Sequence, residues 1–294
     1  MKKLDLSVFP KVDKSEWEIL AQKQLKGENP NDALNWKSSG DISLLPYYES
    51  SDLQGLESQI AFFQSLPDHQ WKLYEQVQVT EGREANKQAL KALMGGCDGI
   101  IFNLDQHYNW DILLNEIDSE ICNLSFLKVD QTLPEKIKTE MTDKNCLFLS
   151  PKTQSPVDQL KETLSNLNTN HSFIYRDTLS DFFLEIATVR ALRFLINKNL
   201  NRAEVAIHTH ISDLNQDDHQ WFLNTSAGLA SILGGSHSVS FTTKIGDERI
   251  SRNVGNLIRE ESGIDSYQDQ CGGSYYIEVL TSKLIAETLK KSNP

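Results

Sequence analysis

Two histidines separated by one residue are the side chains best suited to chemistry. His208 and His210 stand in the run Val205–Ile211, which predicts a β-strand. Residues two apart on a strand point the same way, so His208, His210 and Ser212 share one face. Imidazoles on such a face can bind a substrate, move a proton or ligate a metal. No third metal ligand accompanies them in the sequence, and hydrogen-bonded structural histidines are the alternative interpretation.

A row of small hydroxyls follows on the next predicted strand. Residues 238–243 alternate hydroxyl and apolar side chains, which places Ser238, Ser240 and Thr242 on one face. The interior of an ordinary (β/α)8 barrel is filled by bulky branched residues, so an inward hydroxyl row would give a polar lumen. The row could equally face outward beneath a helix, and the sequence leaves both arrangements open.

A regular series of elements must position these side chains. Eight short apolar runs predict β-strands: Trp71–Val79, Gly99–Leu104, Leu124–Val129, Cys146–Ser150, Ser172–Tyr175, Val205–Ile211, Ser238–Thr243 and Ser274–Ile277.

Helical patterns lie between most of these runs. Glu84–Met94 ends at a double glycine, Asp181–Ile196 carries apolar residues every three or four positions, and Trp221–Leu233 ends at a second double glycine. Strands that alternate with helices favour a parallel sheet, and right-handed crossovers repeated eight times close into a barrel. The prediction is therefore an α/β fold with a (β/α)8 TIM-type barrel. An open doubly wound sheet is the alternative.

The N-terminal part differs in composition from the rest. We expect an extended arm over residues 1–65 and the barrel over residues 66–294. The arm begins with a predicted helix at Ser15–Leu25, which Ser15 would cap. Its later aromatic residues, Trp36 among them, need a surface to pack on, either the chain's own body or another chain.

Composition excludes several functional classes. The 41 acidic residues outnumber 29 basic ones, the net charge is −12, and no basic patch interrupts the excess. Such a chain repels phosphate backbones and anionic membranes, so we expect neither nucleic acid nor membrane as a partner. The four cysteines form no Cys-x-x-Cys pair and are expected to be free thiols. Since the start of the chain lacks a signal-peptide pattern, a cytoplasmic location is the default expectation.

Several motifs of the C-terminal third occur together in one order. They are Asp181–Arg193, Leu233–Ser238, Ser251–Asn253, Glu260–Gly263 and Gly272–Thr281. In this order they resemble the methylmalonyl-CoA mutase family. The arm agrees with the family through Trp17, Leu25–Gly27, Leu34, Trp36 and Pro46-Tyr47. The resemblance covers the chain from end to end and is densest over residues 181–281.

The resemblance implies a fold and a chemistry. Members of the family rearrange the carbon skeletons of acyl-CoA esters by radical chemistry. A barrel lined by small hydroxyl residues holds the CoA thioester along its axis, and a separate cobalamin-binding domain supplies the radical. In such enzymes the cofactor performs the difficult chemistry, while the protein orients and shields it.

The sequence departs from the catalytic members at several positions. Gln76 stands where the first strand of the family carries a tyrosine, and the arginine-bearing approach to that strand is Leu66–Gln70 here. Gly255 stands where the family has a glutamine, and the resemblance implies that a polar contact is left unfilled here. The chain given ends at Pro294 without a segment that resembles the cobalamin domain. Asp105-Gln106-His107 opens like the cobalamin-ligand motif, but Trp110 occupies its glycine position.

With these departures the chain resembles the degenerate, non-catalytic small subunit of the methylmalonyl-CoA mutase family. The resemblance implies that it stabilises a catalytic large subunit in a heterodimer. The chain alone could self-associate. We expect no cofactor in this chain, with adenosylcobalamin bound by the partner. Two alternatives are an active mutase component that uses cobalamin from another chain, and a stand-alone barrel that binds a CoA ester or other small molecule. No catalytic residue is expected, and the residues proposed to line a substrate-binding lumen are Gln76, His208, His210, Ser238 and Ser240.

Overall fold

The computed structural model describes residues 13–37, 42–67, 70–128, 133–134, 137–149, 155–200, 205–212, 220–242 and 248–290. Its helices are α1 Lys14–Gln24, α2 Pro30–Ala33, α3 Glu57–Gln64, α4 Gly82–Met94, α5 Trp110–Leu113, α6 Pro156–Asn166, α7 Phe182–Leu200, α8 Gln220–Gly234, α9 Glu248–Glu261 and α10 Tyr275–Lys290. Its strands are β1 Trp36–Lys37, β2 Ser43–Leu44, β3 Lys72–Val79, β4 Gly99–Leu104, β5 Asn123–Leu127, β6 Cys146–Phe148, β7 Phe173–Asp177, β8 Ala206–Ile211 and β9 Ser238–Phe241. Short 3₁₀ turns occur at Ser50–Leu53 and Ile264–Ser266.

Seven of these strands form one parallel sheet. Its order is β5-β4-β3-β9-β8-β7-β6, so the first barrel strand lies beside the last. Neighbours in the sheet are otherwise neighbours in the chain, which is the order of a ring rather than of a doubly wound sheet. Interior side chains from both edge strands, Leu127 of β5 and Cys146 of β6, pack in one cluster with Tyr74 of β3. The predicted α/β fold of TIM type is confirmed.

The prediction of an eighth strand at Ser274–Ile277 is wrong. Residues 274–277 contain the start of α10, where the backbone N–H of Glu278 donates to the carbonyl of Ser274 in a helical bond of 2.9 Å. Gly273 adopts φ 76° just before the helix, a conformation that glycine adopts without steric cost. Among the described residues, β5 and β6 are the two edge strands, and a gap in the ring remains between them. A parallel bridge between Phe126 and Thr142 spans part of this gap beside β5.

Apolar side chains on the outer face of the sheet explain why helices surround it. One cluster joins Val77, Phe102 and Phe241 to the helices of the α4 and α9 side. A second cluster joins β7 and β8 to α6, α7 and α10. The outward position of Val239 and Phe241 turns the hydroxyl row of β9 inward, which resolves the orientation that the sequence left open.

Part of the described arm packs on the chain's own barrel. Ile42, Leu44 and Phe63 are buried in the molecule. The Gln59 amide nitrogen donates to the Glu278 carboxylate at 2.7 Å, which ties α3 to α10. The boundary at residue 65 remains a prediction, since nothing distinguishes an independent arm domain.

The first helix begins one residue earlier than the sequence predicted. Asp13, not Ser15, is its N-cap, because Asp13 Oδ1 accepts from the Glu16 backbone N–H at 3.0 Å. The Ser15 hydroxyl donates to the same carboxylate. Nothing on α1 is buried, and Ile19 and Leu20 are 67% and 61% exposed. No helix among the described residues is long and apolar enough to cross a membrane.

Candidate functional site in the barrel lumen

The register of β8 and β9 brings the predicted lumen residues together. His208 pairs with Ser238 and His210 pairs with Ser240, so four of the five lie side by side on the inner face. His208 and Ser240 are fully buried, and Ser238 is nearly so. The fifth, Gln76, reaches them from the inner face of the adjoining strand β3.

Hydroxyls and imidazoles alternate in one continuous hydrogen-bonded chain. His208 Nδ1 lies 2.8 Å from Ser238 Oγ, and His208 Nε2 lies 2.9 Å from Ser240 Oγ. Ser240 Oγ is also 2.9 Å from His210 Nδ1, and His210 Nε2 is 3.0 Å from Thr242 Oγ1. Each imidazole nitrogen thus has a partner, which is how buried polar groups avoid the penalty of desolvation.

Gln76 joins this chain to a tyrosine on the far side of the lumen. Its amide nitrogen lies 3.1 Å from both Ser240 Oγ and His210 Nδ1, and it donates to the Tyr175 hydroxyl. The Asn103 amide donates to Gln76 Oε1 at 3.5 Å. Side chains of β3, β4, β7, β8 and β9 therefore meet in one network across the barrel.

Aromatic rings fill the lumen beside the histidines. Tyr175 stacks on His208 with ring centroids 5.1 Å apart, and Tyr74 meets the same imidazole edge-on at 5.7 Å. The Tyr74 hydroxyl donates to the Glu140 carboxylate, which also pairs with Lys72 at 2.6 Å. The inner space at the level of His208 is thus occupied by the chain's own side chains.

Burial keeps both histidines uncharged. Desolvation, together with the lesser effect of the nearby His210, lowers the pKa of His208 to about 3. Burial also lowers the pKa of His210 to about 4, against the opposing effect of a hydrogen bond to the Ser240 backbone, which favours the protonated ring. Desolvation raises the pKa values of Tyr74 and Tyr175, so these phenols remain protonated.

A cavity of about 420 Å³ opens where the network reaches the carboxyl ends of the strands. Gln76, Asn103 and Tyr175 form its polar floor, and Leu127, Lys128, Asp143 and Phe148 complete the lining. Neutral amides, a phenol and weakly basic imidazoles can hold an uncharged polar group by hydrogen bonds. At neutral pH the network itself offers neither a charged acid nor a strong base, and the charged groups of the lining are the exposed Lys128 and Asp143.

The described residues do not fit a metal or a cobalamin. No three His, Cys, Asp or Glu side chains gather there in an arrangement that could hold a metal ion. His107 lies on an exposed loop after β4. Trp110, which stands at the glycine position of the partial motif, packs edge-on against Phe126 at 5.3 Å. Trp110 therefore packs in the core next to β5.

One residue expected near the substrate lies elsewhere. Gly255 is on α9, outside the barrel, where an added Cβ would lie 2.6 Å from Leu73 Cδ1. Its replacement of a glutamine thus permits close helix–strand packing and leaves no lumen contact unfilled. In contrast, sequence reasoning missed Tyr175, although Phe173, Tyr175 and Asp177 alternate with buried outward residues along β7.

Comparisons with known proteins agree with the resemblance. Residues 165–292 match the methylmalonyl-CoA mutase family. The mitochondrial methylmalonyl-CoA mutase of Bos taurus is 34% identical over 134 residues, which are 38% of this chain and 18% of that protein. The methylmalonyl-CoA mutase small subunit of Porphyromonas gingivalis is 24% identical, and the match covers 97% of this chain and 63% of that one. The chain thus spans less than two thirds of these relatives.

Among solved structures, the dihydropteroate synthase of Thermus thermophilus matches with a TM-score of 0.42 and 12% identity. That match covers 66% of this chain and 96% of the synthase. At this score it carries no argument about function.

Proposed function

We propose that this chain is the small, non-catalytic subunit of a methylmalonyl-CoA mutase, and that it stabilises a catalytic large subunit in a heterodimer. The mutase interconverts methylmalonyl-CoA and succinyl-CoA. The match to a mutase small subunit along nearly the whole chain supports the partnership. Adenosylcobalamin would be held by the large subunit, and the described residues of this chain offer it no fitting ligand loop.

The main support for a non-catalytic role is that the chain's own side chains fill the lumen. In the catalytic members a CoA thioester lies along the barrel axis, as the resemblance implies. Here His208 and Ser240 are 0% exposed, and Tyr74 and Tyr175 pack on the His208 imidazole. A thioester arm would have to displace this network and leave buried polar groups without partners, which is costly.

Exposed apolar residues of the arm are our candidates for the contact with the large subunit. Ile19 and Leu20 on α1 are 67% and 61% exposed, and Trp36 is 60% exposed. Trp17 stacks on Tyr47 at 5.1 Å and so holds α1 against the following segment. Obligate interfaces are rich in apolar and aromatic contacts, which suits these side chains.

Co-expression with a candidate large subunit tests the assembly. Deletion of residues 1–50 would not test the arm contact by itself, because it would also remove Ile42 and Leu44, which are buried in the core. The triple variant Ile19→Glu, Leu20→Glu, Trp36→Ser should weaken the complex at least tenfold and leave the fold intact. Met94→Glu, which changes an 84% exposed residue at the end of α4, is the matched control. Equal binding by the triple variant would exclude the arm as the contact, and no complex at all would refute the proposed subunit role.

A second candidate function is favoured by the 420 Å³ cavity above the network. Pockets of about 300–1,000 Å³ with a few convergent polar groups are typical of small-molecule sites. The barrel alone would then bind a small polar molecule or the acyl end of a CoA ester against Gln76, Asn103 and Tyr175. Calorimetric titration of the isolated chain with methylmalonyl-CoA, and of Gln76→Leu as comparison, distinguishes this function from the structural one.

A further inference from the structure

A second pocket lies outside the barrel, away from the lumen. It has a volume of about 460 Å³ and is bounded by α5, the turn at 114–119 and strand β5. Leu124, its wall on β5, packs in the outer cluster, whereas Leu127, three residues further along the strand, belongs to the inner cluster. The sheet therefore separates this pocket from the His208 network, and the proposed subunit function makes no use of it.

The inner wall of the pocket is apolar and has one fixed aromatic ring. Trp110, Leu114, Ile117, Pro134 and Ile137 line it together with Leu124. Trp110 is fixed by its edge-on contact with Phe126, with ring planes at 84°. Such a volume and lining suit the hydrophobic body of a small molecule.

The rim of the same pocket is acidic. Asp111 and Glu116 are exposed, and Asp118 completes the row. One Asp118 oxygen accepts from the Glu120 backbone N–H at 2.9 Å. Within the described ranges, no ion pair involves Asp111 or Glu116, and Lys138 of the adjoining segment is paired with Glu120 instead. Among the described residues, the charge at the entrance is therefore negative.

We propose that this pocket binds an organic monocation made of an aromatic ring and a short alkylammonium. The ring would pack against Leu114, Ile117 and Leu124. The ammonium would stay at the rim beside Asp111 and Glu116 and near the Trp110 ring, which is the aromatic side chain that attracts cations most strongly. A carboxylate on the same body would be repelled by the rim and by the net charge of −12.

A charge-matched pair of probes tests the proposal on the full chain. 2-Phenylethylammonium and 3-phenylpropionate have closely similar bodies and opposite charges. In NMR titrations that follow the Trp110 indole N–H, the ammonium should bind at least tenfold more tightly than the carboxylate. Equal affinity of the two probes overturns the proposal. So does the absence of any Trp110 shift with the ammonium up to about 10 mM, since a millimolar dissociation constant is roughly the weakest useful affinity.

Two variants separate the rim from the wall. Asp111→Asn with Glu116→Gln should weaken ammonium binding about threefold to tenfold, since exposed ion pairs are modest in strength. Ile117→Trp should place a bulkier side chain in the wall, narrow the cavity and weaken binding of the probe. Glu28→Gln with Asp158→Asn removes the same charge from exposed positions that line neither pocket and should leave binding unchanged. If the control pair weakens binding as much as the rim pair, general charge attraction explains the result and the site is refuted. Thermal unfolding verifies that each variant is folded.

Discussion

Acid should destabilise this protein through the two buried histidines of the lumen. Their folded pKa values are about 3 for His208 and about 4 for His210, whereas an unfolded histidine titrates near 6.5. Below pH 6.5 the unfolded chain takes up protons on both imidazoles, and the folded lumen takes up none until about pH 4. The stability contributed by the neutral lumen is therefore complete above pH 6.5 and is lost as the pH falls through this window.

The size of the effect follows from the width of the window. Each histidine makes the free energy of unfolding fall by about 1.4 kcal/mol per pH unit, which is about 2 kcal/mol between pH 6.5 and pH 5. Both together reach about 4 kcal/mol, a large part of the roughly 5–15 kcal/mol that stabilises an ordinary domain. Solvent entry into the lumen would reduce the figure, so we treat it as an upper value.

Urea unfolding between pH 5 and pH 7.5 measures this dependence. His210→Gln keeps a hydrogen-bonding side chain but removes one titrating group, so its slope of unfolding free energy against pH should be smaller by up to one proton. His171→Gln changes a histidine in the turn before β7 and is the matched control. Carboxylates affect parent and variants alike and cancel in the comparison. A His210→Gln slope equal to that of the parent would refute a neutral, buried His210.

Three further predictions concern packing and reactivity. Glu185→Gln should destabilise the chain by about 3–5 kcal/mol, because it leaves the buried Arg176 guanidinium without its charged partner; Glu84→Gln, on the surface, should change urea unfolding little. Gly255→Ala should lower the free energy of unfolding by about 1–3 kcal/mol through its clash with Leu73. In a Leu73→Ala background the same substitution should cost less in thermal unfolding, and an equal cost in both backgrounds would contradict the packing. With Ellman's reagent at pH 8, the half-buried Cys122 should react before the buried Cys97, Cys146 and Cys271. The reason is that burial limits access of the reagent and raises the pKa of the thiol, to about 12 for Cys97. Simultaneous reaction of all four thiols would contradict the burial of these three cysteines.

Strand positions could be predicted because apolar runs of 4–8 residues are a local signal. Seven predicted strands occur in the structure, and their bounds differ by a few residues; Val129, Ser150 and Thr243, at the ends of three of them, lie outside the described residues. The first turn of α10 was mistaken for a strand because Tyr275, Tyr276 and Ile277 favour β structure. The spacing of Ile277, Leu280 and Leu284, three and four residues apart on the buried face, is the pattern that favours a helix over a strand here.

The candidate site was predictable only in part. Alternation along β8 and β9 placed His208, His210, Ser238 and Ser240 on shared faces, but it could not say which face was inside. That depended on the apolar partners of Val239 and Phe241 on the outer side. The contact between Gln76 and Tyr175 joins residues 99 positions apart, and it exists only because the sheet curls into a ring. No local pattern in the sequence reports such a contact.

Turnover by this barrel is the most direct test of the proposed non-catalytic role. The measurement is mutase activity of a complex whose large subunit has been inactivated at its own catalytic tyrosine and histidine, with adenosylcobalamin and methylmalonyl-CoA supplied. The account predicts no succinyl-CoA above background, although the complex with an intact large subunit is active. Activity above background that disappears in the His208→Ala, His210→Ala variant, while assembly persists, would show that this lumen is a working active site and would contradict the account.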